Sequence, residues 1–280
     1  MKKFSFGTLL LRILMILCTV MVIVPFAMLF LTSTKNNEEF YAGIWTLSAT
    51  PIKNIIENYA GAWEQANMGV GFVNSIWICV ASLVLTLALS SMASYAIARR
   101  RLRNEDFFSN LYLIGLLVPS MVGLTPMFMI ARTLGLFNTR TILILMYTAT
   151  QVPFSVFLIT AFMRSIPHEL EEAAFIDGAS PWKAFGRIIL PLVRPALVSA
   201  GIFAFLDFWS EYMYALMFVT DLKKVTAAVN ILQFKTGSGV RMNWGVTAAA
   251  CVTFIAPIIL VYAIFQKQIV GGLTAGSVKG

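Results

Sequence analysis

The residues able to do chemistry are few, and they crowd into one short stretch, where His168, Glu169, Glu171, Glu172 and Asp177 lie close together. Two further acids, Asp207 and Glu211, interrupt an apolar run. A carboxylate in hydrocarbon costs several kcal/mol unless it faces protein or water, so the helix that carries them belongs inside a bundle. Cys18, Cys79 and Cys251 sit in apolar runs with neither a CxxC nor a histidine beside them, which points to packing residues and away from a disulfide framework or a metal site. His168 is the one histidine, and no buried serine or cysteine accompanies it as a nucleophile would, so it reads as a solvated loop residue and an intramembrane hydrolase is disfavoured. The sequence has no Gly-x-x-x-x-Gly-Lys phosphate loop and no Gly-Lys dipeptide at all. The expectation is a chain that is not itself an enzyme, hydrolyses no ATP and binds no cofactor.

The elements that position these residues must be membrane helices. Of the 280 residues, 59% are hydrophobic and 12% charged, with a mean hydropathy of +0.80; a soluble chain is about a quarter charged. The net charge of +8 is spread among apolar stretches and forms no patch interleaved with exposed aromatics, so nucleic acid is not the partner. Requiring about 20 predominantly apolar residues per span predicts an all-α, polytopic membrane protein with six transmembrane helices, near 9–31, 72–98, 107–131, 141–163, 193–219 and 244–266. The first is too long for a signal-peptide core and has no small-x-small cleavage site after it, so it is expected to be retained. Pro25, Pro119, Pro126, Pro153 and Pro257 fall inside spans and suggest kinks.

Six spans put both termini on one side. That side holds Lys2, Lys3, Arg12, Arg99, Arg100, Arg101, Arg103, Arg164, Lys183, Arg187, Arg194, Lys267 and Lys279, thirteen of the twenty-one basic residues. By the positive-inside rule both termini are cytoplasmic. The external segment 32–70 carries Tyr41, Trp45, Tyr59 and Trp63, which fit either the interfacial belt or contact with an external partner.

Residues 164–191 then form a cytoplasmic loop of two short helices. Pro167 fits the first helical turn and Glu169, Glu171 and Glu172 suit the positive end of its dipole. Asp177-Gly178 ends this helix, Ser180-Pro181 starts the next, and Leu190-Pro191 limits it. So short a hairpin cannot build its own core and must bury Leu170, Phe175, Ile176, Phe185 and Ile188 elsewhere. It either folds back onto the spans or, through the small residues Ala173, Ala174, Gly178 and Ala179, admits another backbone or groove.

Glu172-Ala173-Ala174, then Gly178, Ile188 and Leu190-Pro191, with Asp177-Gly178-Ala179 between, resembles the EAA signature of ABC importer permeases. Gly272 to Gly280 resembles the C-terminal tail of maltose-importer permeases, and Trp209-Ser210-Glu211-Tyr212 is similar to a Trp-Asn-Glu-aromatic stretch of sugar permeases, with Ser210 in place of the Asn. The resemblance covers essentially the whole chain. It implies a type I ABC importer permease of MetI-like fold in a bacterial plasma membrane, transporting a sugar or oligosaccharide. The implied partners are a second, different permease, two cytoplasmic ATPases that bind the ATP and Mg, and an extracytoplasmic sugar-binding protein. The loop would be the coupling helix, with Glu172, Ala173, Ala174, Asp177, Gly178 and Ala179 meeting the ATPase, and Leu273, Thr274, Gly276 and Lys279 of the tail reaching it as well.

Three regions follow: 1–71, an N-terminal span and external segment; 72–266, the permease core; and 267–280, a cytoplasmic tail. Asn74, Ser75, Gln151, Asp207, Ser210 and Glu211 are the polar groups in or near spans, serving interhelical hydrogen bonds or contact with the sugar. The competing reading is an ion-coupled secondary transporter of a small polar solute, which inverted repeats and paired broken helices would favour; the sequence shows neither.

Overall fold

The computed structural model describes residues 6–99, 104–237 and 242–275. Every regular element among them is helical. Four helices are long and apolar enough to cross a membrane: α1 (Phe6–Ser33), α4 (Met68–Ala98), α7 (Arg140–Met163) and α14 (Trp244–Ala275). They match four of the six expected spans.

The other two expected spans are not single helices. The predicted span 107–131 is α5 (Glu105–Leu117), a 3-10 turn (Ser120–Gly123) and α6 (Leu124–Thr133), bent by 86°. Pro119 explains the break, because its ring drives Val118 out of the helical region to ψ 117°. The predicted span 193–219 is α11 (Arg194–Ser210) followed by α12 (Met213–Phe218), with extended backbone at Glu211, ψ 129°. Pro25, Pro153 and Pro257 lie inside unbroken helices.

The chain divides into two compact units. The first comprises residues 1–69 and 230–257. It contains α1, α2 (Asn37–Ala42) and α3 (Pro51–Glu64), with most of α13 (Ala227–Gly237) and the first part of α14. Its segment between α1 and α4 is tightly folded. Lys35 is fully buried, and its ammonium donates to the Gly43 carbonyl (2.6 Å), the Ile44 carbonyl (2.8 Å) and Thr46 Oγ1 (3.1 Å). A buried ammonium without such partners would be prohibitive. Asn36 and Glu39 form a reciprocal capping box on α2. The Glu39 carboxylate also accepts from the Ala49 N–H (2.8 Å), Ser48 Oγ (2.9 Å) and Asn54 Nδ2 (2.8 Å). These bonds, the Ala49 N–H first, hold its pKa below the ordinary 4.5. Gly245 is required here by close approach, since a Cβ would collide with the Lys35 carbonyl and the Asn58 side chain.

The second unit comprises residues 70–229 and 258–280. Helix α7 is flanked by α5, α11 and α12. Small hydroxyl residues let α4 approach α7 closely: Ser94 Oγ donates to the Val156 carbonyl (3.2 Å), and Ser82 lies within 3.5 Å of both the Ile144 carbonyl and Thr148 Oγ1. After α7 come α8 (Glu169–Ile176), α9 (Pro181–Ala184), a π-wound turn (Phe185–Ile189) and α10 (Leu190–Leu192), which together form the hairpin expected at 164–191.

Candidate functional site

The hairpin is built by its caps. His168 is the residue before α8 and its carbonyl accepts from the N–H groups of Glu171 (2.9 Å) and Glu172 (3.1 Å). Glu169, Glu171 and Glu172 occupy the first turn, where the helix dipole favours negative charge. At the other end the Gly178 N–H reaches the Phe175 carbonyl (3.0 Å) and the Ala179 N–H the Ala174 carbonyl (2.8 Å). This double closure needs a left-handed residue, and Gly178 supplies it at φ +79°. Ser180 Oγ then accepts from the Lys183 N–H (3.4 Å) and starts α9 with Pro181 at its first position.

The second helix does not stop at Leu190-Pro191. Its winding loosens over Phe185–Ile189, so that the Leu190 N–H bonds the Phe185 carbonyl five residues back. Pro191 has no N–H to continue the ladder and its ring would crowd the Arg187 carbonyl; the wider turn accommodates it. The chain continues to Leu192 and bends 73° into α11.

The first expected fate of the hairpin is realised: one of its faces folds back onto the spans, while the other is left exposed. Phe185 and Ile189 pack into a core with Tyr95, Ala98, Ile159 and Met163, so the second helix folds back onto α4 and α7. Burial of each such side chain contributes about 1.5–3 kcal/mol. The other face has no cover among the described residues: Leu170, Ile176 and Trp182 are 45%, 87% and 69% exposed, beside exposed Glu172, Ala173, Asp177 and Gly178. Ala179 is half-buried and Ala174 buried, the latter facing the core. A Cβ on Gly178 would meet nothing among the described residues.

Beneath α8 lies an ion pair that sequence reasoning missed. The Glu171 carboxylate accepts from the Tyr95 hydroxyl and sits 3.4 Å from Arg99 Nε, with both charged side chains almost wholly buried. Arg99 also donates to the Ile166 carbonyl (3.1 Å) and lies 3.4 Å from His168 Nδ1. His168 is exposed, as expected, but it flanks this cluster instead of standing alone. The available signal was spacing: Glu171, Ala174 and Phe175 share the inward face of α8, while Glu172 points away.

The polar residues of the spans separate into two groups. Asn74 donates to the Lys223 (3.0 Å) and Val225 (2.9 Å) carbonyls and accepts from Arg140 Nε (2.8 Å), and Ser75 Oγ accepts from the Ala227 N–H (3.0 Å). Both fasten the segment after α12 to α4. Gln151 is buried in α7. Glu211 and Asp207 are different. Glu211 sits at the break between α11 and α12, accepting from Tyr147 (2.8 Å) and from the Tyr214 N–H (2.7 Å), while Asp207, one turn earlier, and Ser210, the preceding residue, are exposed. Of the expected tail contacts, Leu273 and Thr274 fall in the last part of α14, whose helix runs on to Ala275. Gly276 and Lys279 lie outside the described residues, as do Lys2, Lys3, Arg100, Arg101 and Arg103.

Residues 90–274, which include the hairpin and both broken spans, match a protein family described as the binding-protein-dependent transport system inner membrane component. The chain is 35% identical over 266 residues to the diacetylchitobiose uptake system permease protein NgcG of Streptomyces coelicolor, covering 95% of this chain and 87% of that one. It is 37% identical to the trehalose transport system permease protein SugB of Mycobacterium tuberculosis, over 80% and 82% of the two chains. The fold is similar to that of a bacterial ABC transporter that imports the acidic polysaccharide alginate, with a TM-score of 0.85 at 21% identity, covering 95% of this chain and 99% of that one.

Proposed function

The chain belongs to the family of binding-protein-dependent transport system inner membrane components, and on that premise we propose that its hairpin is the surface through which ATP hydrolysis on separate subunits drives import of a sugar. It is a multi-pass membrane permease, and it would form half of the translocation pathway. A second, different permease would form the other half, with two ATPases on the hairpin side and a soluble sugar-binding protein opposite. The chain would be non-catalytic, with ATP and Mg held by the ATPases. Both termini and the hairpin would then face the cytoplasm of a bacterial cell, in keeping with the thirteen basic residues on that side.

One observation carries this reading: a hairpin anchored on one face and uncovered on the other. The anchored face joins α4 and α7 through buried apolar contacts and the Arg99–Glu171 pair. The open face offers Leu170, Ile176 and Trp182 around the small residues Ala173 and Gly178, with Glu172 for a charge-assisted contact to a basic group of the ATPase. A partner that moves this face moves the helices beneath it. The tail residues Leu273, Thr274, Gly276 and Lys279 would add a second contact.

The relatives named for diacetylchitobiose and trehalose support an oligosaccharide as the cargo. Asp207 and Glu211, with Ser210, are the proposed pathway groups of this subunit. Extended backbone at membrane depth is tolerated where it is buried in protein or lines a water-filled cavity, which favours the break at Glu211 over Asn74, Ser75 and Gln151.

Purification of the tagged chain from membranes tests the assembly. A second permease and an ATPase pair should accompany it, and Glu172→Arg should release the ATPases while the permeases stay together. ATPase retention undiminished by Glu172→Arg, Ile176→Asp and Trp182→Asp would remove the hairpin from this role.

A further inference from the structure

Helix α3 presents three chemically distinct faces. Toward the protein it turns Asn54, Asn58, Gly61 and Ala62, all buried. Directly opposite, Ile52, Ile56, Ala60 and Trp63 form an exposed stripe, with Ile52 at 76%, Ile56 at 65% and Trp63 at 45% exposure. At 100° per residue this stripe and the buried face leave two flanks: Lys53, Glu57 and Glu64 occupy one, all exposed, and the half-buried Ile55 and Tyr59 the other. A helix in water would place its polar residues opposite the protein. Here the outermost face is apolar and the charges are confined to one side.

The tethers of α3 fix its depth. Asn58 Nδ2 donates to the carbonyls of Ser33 (2.9 Å) and Lys35 (2.8 Å), at the end of the span Leu9–Ser33. The Trp63 ring lies against Gly69, one residue into the span that starts at Met68. One side chain of α3 therefore holds the end of one span and another touches the start of the next. Both tethers put the helix at the membrane boundary. Three surroundings meet there, and α3 has a face for each: protein at Asn54 and Asn58, water at Lys53 and Glu57, and hydrocarbon at Ile52 and Ile56. Trp63 and the half-buried Tyr59 are the aromatic types that settle at this level.

We infer that α3 is an interfacial helix whose Ile52–Ile56–Ala60–Trp63 stripe docks into the acyl and headgroup boundary of the bilayer. The occupant of this face is phospholipid. Lipid contact would hold the external segment flat on the membrane and fix the height of the Lys35 knot above it. The inference rests on the two flanking spans and is independent of which subunits join the chain.

Site-specific photocrosslinking in the assembled complex, in native membranes, separates the occupants. p-Benzoylphenylalanine is placed at Ile52, Ile56 or Ala60 on the stripe and at Lys53 or Glu57 on the flank. After irradiation, intact-mass measurement of the subunit should show a gain of one phospholipid at the three stripe positions and none at the two flank positions. A crosslink from the stripe to the partner permease or to the binding protein would overturn the inference. So would a stripe that yields no adduct, as a water-facing helix would, or equal lipid adducts on both faces. None of these outcomes bears on whether uptake requires ATP, so the two readings fail separately.

Discussion

Glu171 and its neighbour Glu172 lie on different faces of the first turn of α8: Glu171 is buried against Arg99 and Tyr95, and Glu172 is exposed beside Ala173. Adjacent carboxylates on one short helix thus serve two purposes. The inner one fastens the hairpin to α4, and the outer one is free to meet a partner.

Removal of one member of the buried pair leaves the other charge without compensation, which costs about 3–5 kcal/mol. Glu171→Ala or Arg99→Ala should lower the thermal transition of the purified subunit. The double variant Arg99→Met/Glu171→Leu removes both charges and should recover most of the loss. If the double variant is as unstable as the sum of the singles, the pair is not the anchor.

Glu172→Ala should behave in the opposite way. An exposed residue of this kind moves stability by no more than about 0.5 kcal/mol, while the proposed contact to the ATPase predicts a loss of uptake. Equal melting with normal uptake would return Glu172 to the role of a dipole carboxylate.

Gly178 separates conformation from space. Its φ of +79° costs an L-residue about 1–2 kcal/mol, less for Asn. Since a Cβ meets nothing among the described residues, a docked partner is the proposed source of any steric demand. Gly178→Asn should leave the subunit folded and inserted yet block ATPase binding. Full ATPase binding by Gly178→Asn with loss in Gly178→Ala would mean that only the turn conformation matters.

Glu39 ties the external segment together at a pKa below 4.5, held there chiefly by the Ala49 N–H. Its stabilisation is present above 4.5 and is lost as pH falls through the lowered native value. Protease sensitivity of residues 36–50 should therefore be flat from neutrality to 4.5 and rise below it. Glu39→Gln should be sensitive at every pH. An onset of cleavage above pH 5 in the unmodified protein would count against the Glu39 network.

Much of this architecture was legible from local rules. Apolar run length located α1, α4, α7 and α14, and Asp177-Gly178 and Ser180-Pro181 marked the hairpin's caps because those residues act on their immediate backbone. The bends near Pro119 and Val193 were harder, because composition alone scores a bent pair and a straight span alike, and the break at Glu211 lies within a run that composition reads as one span. The Arg99–Glu171 pair was invisible for a different reason. Arg99 heads a basic cluster that reads as an orientation signal, and only the fold brings it under α8. The same holds for Asn74, whose three partners lie on Arg140 and the segment 223–225. The uncovered face of the hairpin is a surface property, and spacing could say which residues needed burial but not that Leu170, Ile176 and Trp182 stay exposed among the described residues.

Uptake into proteoliposomes containing the purified complex, with binding protein and a sugar panel outside and nucleotide inside, tests the central claim most directly. Accumulation should require hydrolysable ATP, fall to background with Glu172→Arg, and be indifferent to an imposed proton or sodium gradient. Accumulation that follows the ion gradient and persists without ATP would contradict an ATP-driven importer.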